Sequence, residues 1–206
     1  VIGQKEIYLG ARIQMAAYQK RDIDTTKCYR FLDKDIAYIT LKSIQEADIP
    51  IINTIFINTK GIIIDIRNYP PLYSIIHRLV PCFVHNTTPF VKFTFGNPDN
   101  PGEFSFKKEY EVSQSESETI YQGKLVVLVN EYTQSHAEFV TMALRAGDNT
   151  MVVGSQTAGA DGNMSVIVLP GRLGTAISGI GVYYPDGRKT QRIGIVPDVE
   201  VKPTIR

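Results

Sequence analysis

The sequence predicts an α/β protein built on a largely parallel sheet, and three observations carry that prediction. Short β-branched runs recur at 36–41, 61–66, 125–129 and 150–153, each bounded by polar residues or glycine, as buried strands are. Segments with helical spacing fall between them. Strand–helix–strand units therefore repeat at about 36–66, 62–129 and 125–153, an arrangement that calls for right-handed crossovers and parallel pairing.

Composition narrows the function classes. The 206 residues are 43% hydrophobic and 21% charged, with a net charge of +1, the profile of an ordinary globular protein. That charge gives no electrostatic footing for nucleic acid or an anionic membrane. No apolar run is long enough to span a bilayer. The chain opens at Val1 without a start methionine or signal peptide, as an excised piece would. Cys28 and Cys82 either pair in an extracytoplasmic setting or remain buried thiols. His77, His85 and His136 have no metal-ligand spacing with them, so no zinc site or other metal is expected.

Taken in order, residues 1–30 are weakly patterned. Two short strands around Gly10 and a polar linker over 20–26 read as the end of an upstream unit. The core domain is expected over 31–206. It starts with a turn at Asp33-Lys34 and a strand over 36–41. A helix over 47–58 carries Pro50 in its first turn, where proline is tolerated. The strand 61–66 leads into Arg67-Asn68-Tyr69-Pro70-Pro71, and 72–83 has helical spacing interrupted by Pro81. Alternating runs at 90–95 and 103–106 flank a turn-rich 96–102 and predict a hairpin or excursion. A polar connector at 113–119 follows. Past the strand at 150–153, the stretch 154–163 is rich in glycine. Strands at 166–169 and 176–178 surround Pro170-Gly171, a tight turn spans 183–188, and Gly194 to Asp198 leads to a last short strand.

One junction stands out. The apolar run 125–129 gives way to the polar turn 130–134, and from His136 the pattern is helical, ending at Arg145-Ala146-Gly147. Ser135 thus sits where a buried strand meets a helix N-terminus. Free N–H groups and the helix dipole there favour a developing oxyanion; a plain N-cap is the other reading of the same serine. In open α/β sheets, sites form at the carboxyl ends of the strands. Arg67-Asn68, 130–135 and 154–162 all converge on that edge.

Five segments carry a family resemblance. Gly61-Ile-Ile-Ile-Asp-Ile-Arg-Asn-Tyr-Pro70, Leu128-Val-Asn-Glu-Tyr-Thr-Gln-Ser-His-Ala-Glu138 and Val152-Val-Gly-Ser-Gln-Thr-Ala-Gly159 resemble, in order, segments of the carboxyl-terminal processing (tail-specific) serine peptidases. Tyr183-Tyr-Pro-Asp-Gly-Arg188 and Gly194-Ile-Val-Pro-Asp198 resemble that family's closing motifs. The resemblance implies a core like those of crotonase and Clp peptidase, of repeated βαβ units with extra β-hairpins. It also implies a peptide or protein substrate, no cofactor, an extracytoplasmic setting (periplasmic or membrane-anchored), and a PDZ-domain remnant at the N-terminus. Ser135 takes the nucleophile's place. His136 and Leu72 become the backbone oxyanion donors, and Glu138 and Arg67 are structural, pairing across the sheet edge.

The departures are specific. Ala160 and Met164 stand where the family has its general-base lysine and the glutamine that orients it. Pro71-Leu72 replaces a glycine pair whose N–H completes the oxyanion hole, and proline has no N–H. Asp161 is a candidate base, though an exposed carboxylate with a pKa near 4 is a weak one. His136 adjoins Ser135, and neighbours on a helix do not face each other; a surface histidine is expected. His77, His85 or a residue upstream are further candidates. Two functions stay open: a serine peptidase using Ser135, or a catalytically degenerate peptide binder or scaffold.

Overall fold

The computed structural model describes residues 26–202, apart from 101, 108 and 115–119. The strands and linker expected before residue 26, and with them most of the PDZ-like remnant, lie outside the described residues.

Six strands form the central sheet in the order β1-β2-β3-β7-β8-β12. They are β1 (Tyr29–Asp33), β2 (Ile36–Thr40), β3 (Gly61–Asp65), β7 (Lys124–Val129), β8 (Thr150–Gly154) and β12 (Val199–Glu200). The first pair is antiparallel, and every other neighbouring pair is parallel. The expected repeated βαβ architecture is therefore observed. β1 brings Tyr29 and Arg30 into this sheet, just ahead of residue 31.

Three helices make the crossovers: α1 (Asp48–Phe56), α2 (Ile75–Arg78) and α3 (His136–Arg145). α1 buries Ile49, Ile52 and Phe56 against the sheet, one stripe of a 3.6-residue period. The helical spacing over 72–83, expected to be interrupted at Pro81, yields a short helix that ends before it. α2 lasts four residues and gives way to a 3₁₀ turn, Val80–Phe83. Pro81 lacks an N–H and clashes with a preceding turn, so the α ladder cannot continue through it. Ala37, Ile39, Ile62, Ile64, Leu125, Val127 and Val152 fill the sheet's contribution to the core. β8, expected as a buried strand, leaves Met151 47% exposed.

The excursion between β3 and β7 is a small antiparallel sheet. β4 (Thr88–Gly96) pairs with β5 (Phe104–Phe106), β6 (Tyr110–Val112) and β11 (Gly181–Tyr183). The expected 90–106 hairpin is present; β6 and β11 join through pairings that local patterning does not reveal. Phe90 and Phe93 of β4 pack on Phe139 of α3, at ring separations of 5.0 and 6.1 Å. This contact fixes α3 between the main sheet and the excursion. β9 (Met164–Leu169) and β10 (Leu173–Ser178) form a separate two-stranded hairpin.

The sulfurs of Cys28 and Cys82 are buried and form no disulfide. Burial, reinforced by Asp48, pushes the Cys28 thiol up to about 12.

Candidate active site

Because β3, β7 and β8 run parallel, their carboxyl ends share one edge. The chain leaves each of them into the segments singled out from sequence. Thr133, fully buried, stitches two of these together: its hydroxyl donates to the Ile66 carbonyl at 3.2 Å, and its own carbonyl accepts the Ala158 N–H at 3.0 Å. The polar turn is thereby held against the end of β3 and the glycine-rich loop.

Ser135 follows at the start of α3 with φ 53° and ψ −122°. Non-glycine residues seldom adopt positive φ, and the strain persists only where surroundings enforce it. Here the enforcing group is Glu138. This carboxylate is 0% exposed and accepts the Ser135 N–H at 3.1 Å, the return half of a capping box. It also accepts the Thr157 hydroxyl at 2.5 Å, the Gly159 N–H at 2.8 Å and the Ala160 N–H at 3.0 Å. Gly159 adopts φ +66°, and a Cβ there would stand 2.7 Å from the Gly194 nitrogen. Only glycine lets the loop approach this closely.

The expected Glu138–Arg67 pair does not form. Arg67 instead grips Asp65, two residues back, through Nε (2.9 Å) and Nη2 (2.7 Å). Tyr38 donates its hydroxyl to the same carboxylate at 2.6 Å. Burial raises the Asp65 pKa, but the Arg67 and Tyr38 hydrogen bonds outweigh it and hold the carboxyl below its ordinary value. This cluster braces the exit from β3, whereas Glu138 braces the serine.

A cleft of about 520 Å³ opens beside Ser135, with walls that include Tyr69, Tyr73, Phe139, Asp161 and Met164. Tyr69, to which sequence assigned no role, reaches the serine directly. Burial, aided by Tyr73, raises the Tyr69 pKa, so the phenol stays protonated. The Ser135 side chain and the His136 backbone amide, as hydrogen-bonding neighbours of its hydroxyl, act to lower it. An aromatic residue immediately past a strand end at the expected site edge was the available signal.

His136 is half-buried rather than the surface histidine expected. Its Nε2 lies 3.1 Å from the Leu72 carbonyl, and the Tyr73 ring is 4.8 Å away. Burial lowers its pKa, with the Leu72 carbonyl acting in the opposite sense. The contact shown by Leu72 is this carbonyl oxygen; Leu72 does not line the cleft. His77 sits in the last turn of α2, and His85 faces Asp148 at 3.9 Å. Neither lines the cleft.

Asp161 differs most from its expected character. It is 6% exposed, not solvated. Its Oδ1 accepts the Gly162 N–H at 2.7 Å, and its carbonyl accepts Gln191 Nε2 at 2.9 Å. Its Oδ2 is buried with no hydrogen-bond partner. Desolvation, with a contribution from the Glu138 charge and against the Gly162 hydrogen bond, pushes this carboxyl up to about 7. Among the described residues, no group of three or more His, Cys, Asp or Glu is placed to hold a metal ion.

The description of peptidase family S41 matches residues 35–201. The chain belongs to peptidase family S41. This is a family of serine-type peptidases, and the fold agrees. A crystal structure from Parabacteroides merdae superposes with a TM-score of 0.77 at 20% identity, covering 92% of this chain and 62% of that one. Mature CPAF complexed with lactacystin gives 0.66 at 15% identity over 80% and 47%. The photosystem II D1 C-terminal processing protease gives 0.58 at 20% identity over 81% and 42%. Among curated sequences, an uncharacterized protein of Chlamydia muridarum is 26% identical over 151 residues, 70% of this chain. A Chlamydia trachomatis protein is 30% identical over 84 residues, 39% of this chain. The chain spans 23% and 14% of the lengths of these two relatives. No helix among the described residues is long and apolar enough to cross a membrane.

Proposed function

We propose that this S41 chain is a serine endopeptidase of the tail-specific kind, with Ser135 as its nucleophile. The observation that carries the reading is the Ser135 backbone, held at φ 53° at the mouth of the cleft by the buried Glu138 carboxylate. A strained serine between strand and helix exposes its hydroxyl and aims the following N–H at a bound carbonyl oxygen, as in other nucleophile elbows. Ser135 Oγ attacks the scissile carbonyl carbon. The new C–O bond displaces the carbonyl π pair onto oxygen, and collapse of that intermediate expels the amine. Water then repeats the sequence on the acyl-enzyme and releases the acid.

Two donors serve the oxyanion. One is the His136 N–H. The other is the Tyr69 hydroxyl, which contacts the Ser135 side chain and the same amide and stands in for the N–H lost at Pro71. Substrate displaces the phenol from the His136 amide and receives both hydrogen bonds. Peptides in an extended conformation are the substrate class, and an extracytoplasmic setting, with a PDZ-like remnant and linker ahead of β1, fits the same reading.

A second reading rests on one observation: Ala160 occupies the place of the family's base lysine. On that reading the cleft binds peptide without cleaving it. A fluorophosphonate probe separates the two, because it phosphonylates only an activated serine. The peptidase reading expects labelling of the wild type that disappears in Ser135→Ala; equal labelling of the two proteins overturns it.

A further inference from the structure

We infer that the Asp161 carboxylate takes the Ser135 hydroxyl proton, replacing the lysine that Ala160 has displaced. This inference rests on the peptidase reading above and adds the group that activates its nucleophile. Asp161 lines the same cleft as Ser135. It is more than nine-tenths buried, and its Oδ2 lacks any hydrogen-bond partner. Burying an oxygen that could accept a hydrogen bond and leaving it unpartnered is expensive. Ordinary folding gives no reason to keep it. A group that must receive a proton does.

Position is fixed independently of titration. The backbone of Asp161 is clamped by Gln191, which donates to both the Asp161 and Ile180 carbonyls at 2.9 and 2.8 Å. The neighbouring Gly159 and Ala160 amides are held by the same Glu138 carboxylate that holds the Ser135 amide. The candidate base and the nucleophile are thus anchored to one side chain. Catalytic hydrogen bonds are often open before substrate binds and tighten in the bound complex; here both residues line the cleft, and Asp161 borders a second cavity as well.

The electrostatic surroundings suit a base working near neutrality. Glu138 of α3 is the charged group acting on Asp161 in the elevated pKa described above, and the Gly162 N–H opposes it. Tyr69, Tyr73, Tyr110 and His136 are the other titratable residues of the cleft, and Arg192 lines a neighbouring cavity that Asp161 also borders. In the step itself, the proton leaves Ser135 Oγ for Asp161 Oδ2 as the C–O bond forms. The protonated carboxyl returns it to the departing amine nitrogen. No other reactant is required.

The test is the rate of fluorophosphonate labelling from pH 5 to 9, in wild type, Asp161→Asn, Asp161→Ala and Ser135→Ala. The inference expects wild-type labelling to rise about tenfold per pH unit and to level off near pH 7. Asp161→Asn should label about 10²–10⁴-fold more slowly and lose that inflection while keeping a cooperative thermal transition. If Asp161→Asn does not fold, added formate should restore labelling to Asp161→Ala, whose cavity admits a small carboxylate. Ser135-dependent labelling with an unchanged rate and inflection in both Asp161 variants overturns this inference alone. Absence of any Ser135-dependent labelling overturns the peptidase reading, and this inference with it.

Discussion

The Glu138 carboxylate accepts the backbone N–H of Ser135 at 3.1 Å while also holding Thr157, Gly159 and Ala160. One buried side chain therefore sets both the strained serine and the loop facing it. In Glu138→Gln, an amide NH₂ would confront donors that now find an acceptor. Unsatisfied buried donors cost about 1–3 kcal/mol each, so a loss of about 2–4 kcal/mol in urea unfolding is expected, with Ser135 labelling abolished. Arg67→Ala should leave labelling within a few-fold, because Arg67 serves Asp65 instead.

The Asp65 cluster makes its own prediction. Its carboxyl is 3% exposed and its pKa is held below the ordinary value, so its stabilisation is present above the unfolded pKa and fades as pH falls through the folded one. Arg67→Ala should destabilise the fold by about 2 kcal/mol at pH 7. The gap between it and wild type should shrink in unfolding experiments carried below pH 4.

Asp161 has the opposite sign. A carboxyl whose folded pKa lies near 7 binds its proton more tightly in the native state than in the unfolded chain. Stability is therefore lost as pH rises from about 4 through 7. Asp161→Asn removes that penalty. It should be more stable than wild type by up to about 4 kcal/mol above pH 7, with the difference vanishing near pH 4, as read from denaturation midpoints across pH. A residue that weakens the fold at the working pH yet speeds labelling would show the usual trade between stability and activity.

Tyr69→Phe tests the second oxyanion donor. Removing one such donor typically costs about 10²–10³ in rate, and a loss of that size in peptide hydrolysis is expected with little change in melting temperature. A faster Tyr69→Phe enzyme would show that the phenol obstructs the His136 amide instead.

Much of this site was legible in the sequence because it lies on local pattern. Five apolar residues before a polar turn, then helical spacing from His136, place Ser135 without any tertiary information. The parallel strands follow from the same runs, and their shared edge brings 67–68, 130–135 and 154–162 together. What was not legible depends on distant residues. Asp161 reads as a solvated carboxylate until Gln191, thirty positions on, closes over its backbone. Arg67 and Glu138 look like partners by charge, but Asp65 stands two residues from Arg67 while four donors already claim Glu138. The break at Pro81 was legible in the helical spacing over 72–83, but not how early the α-helix ends, at Arg78, ahead of the 3₁₀ turn that carries the proline. β6 and β11 are three residues each and owe their existence to pairing with β4.

The most direct measurement is mass spectrometry of an unstructured polypeptide incubated with wild type and with Ser135→Ala at pH 8. Internal cleavage products, with new amino termini, are expected from the wild type and none from the variant. Intact substrate after prolonged incubation with wild type, or the same products from Ser135→Ala, would contradict the peptidase reading.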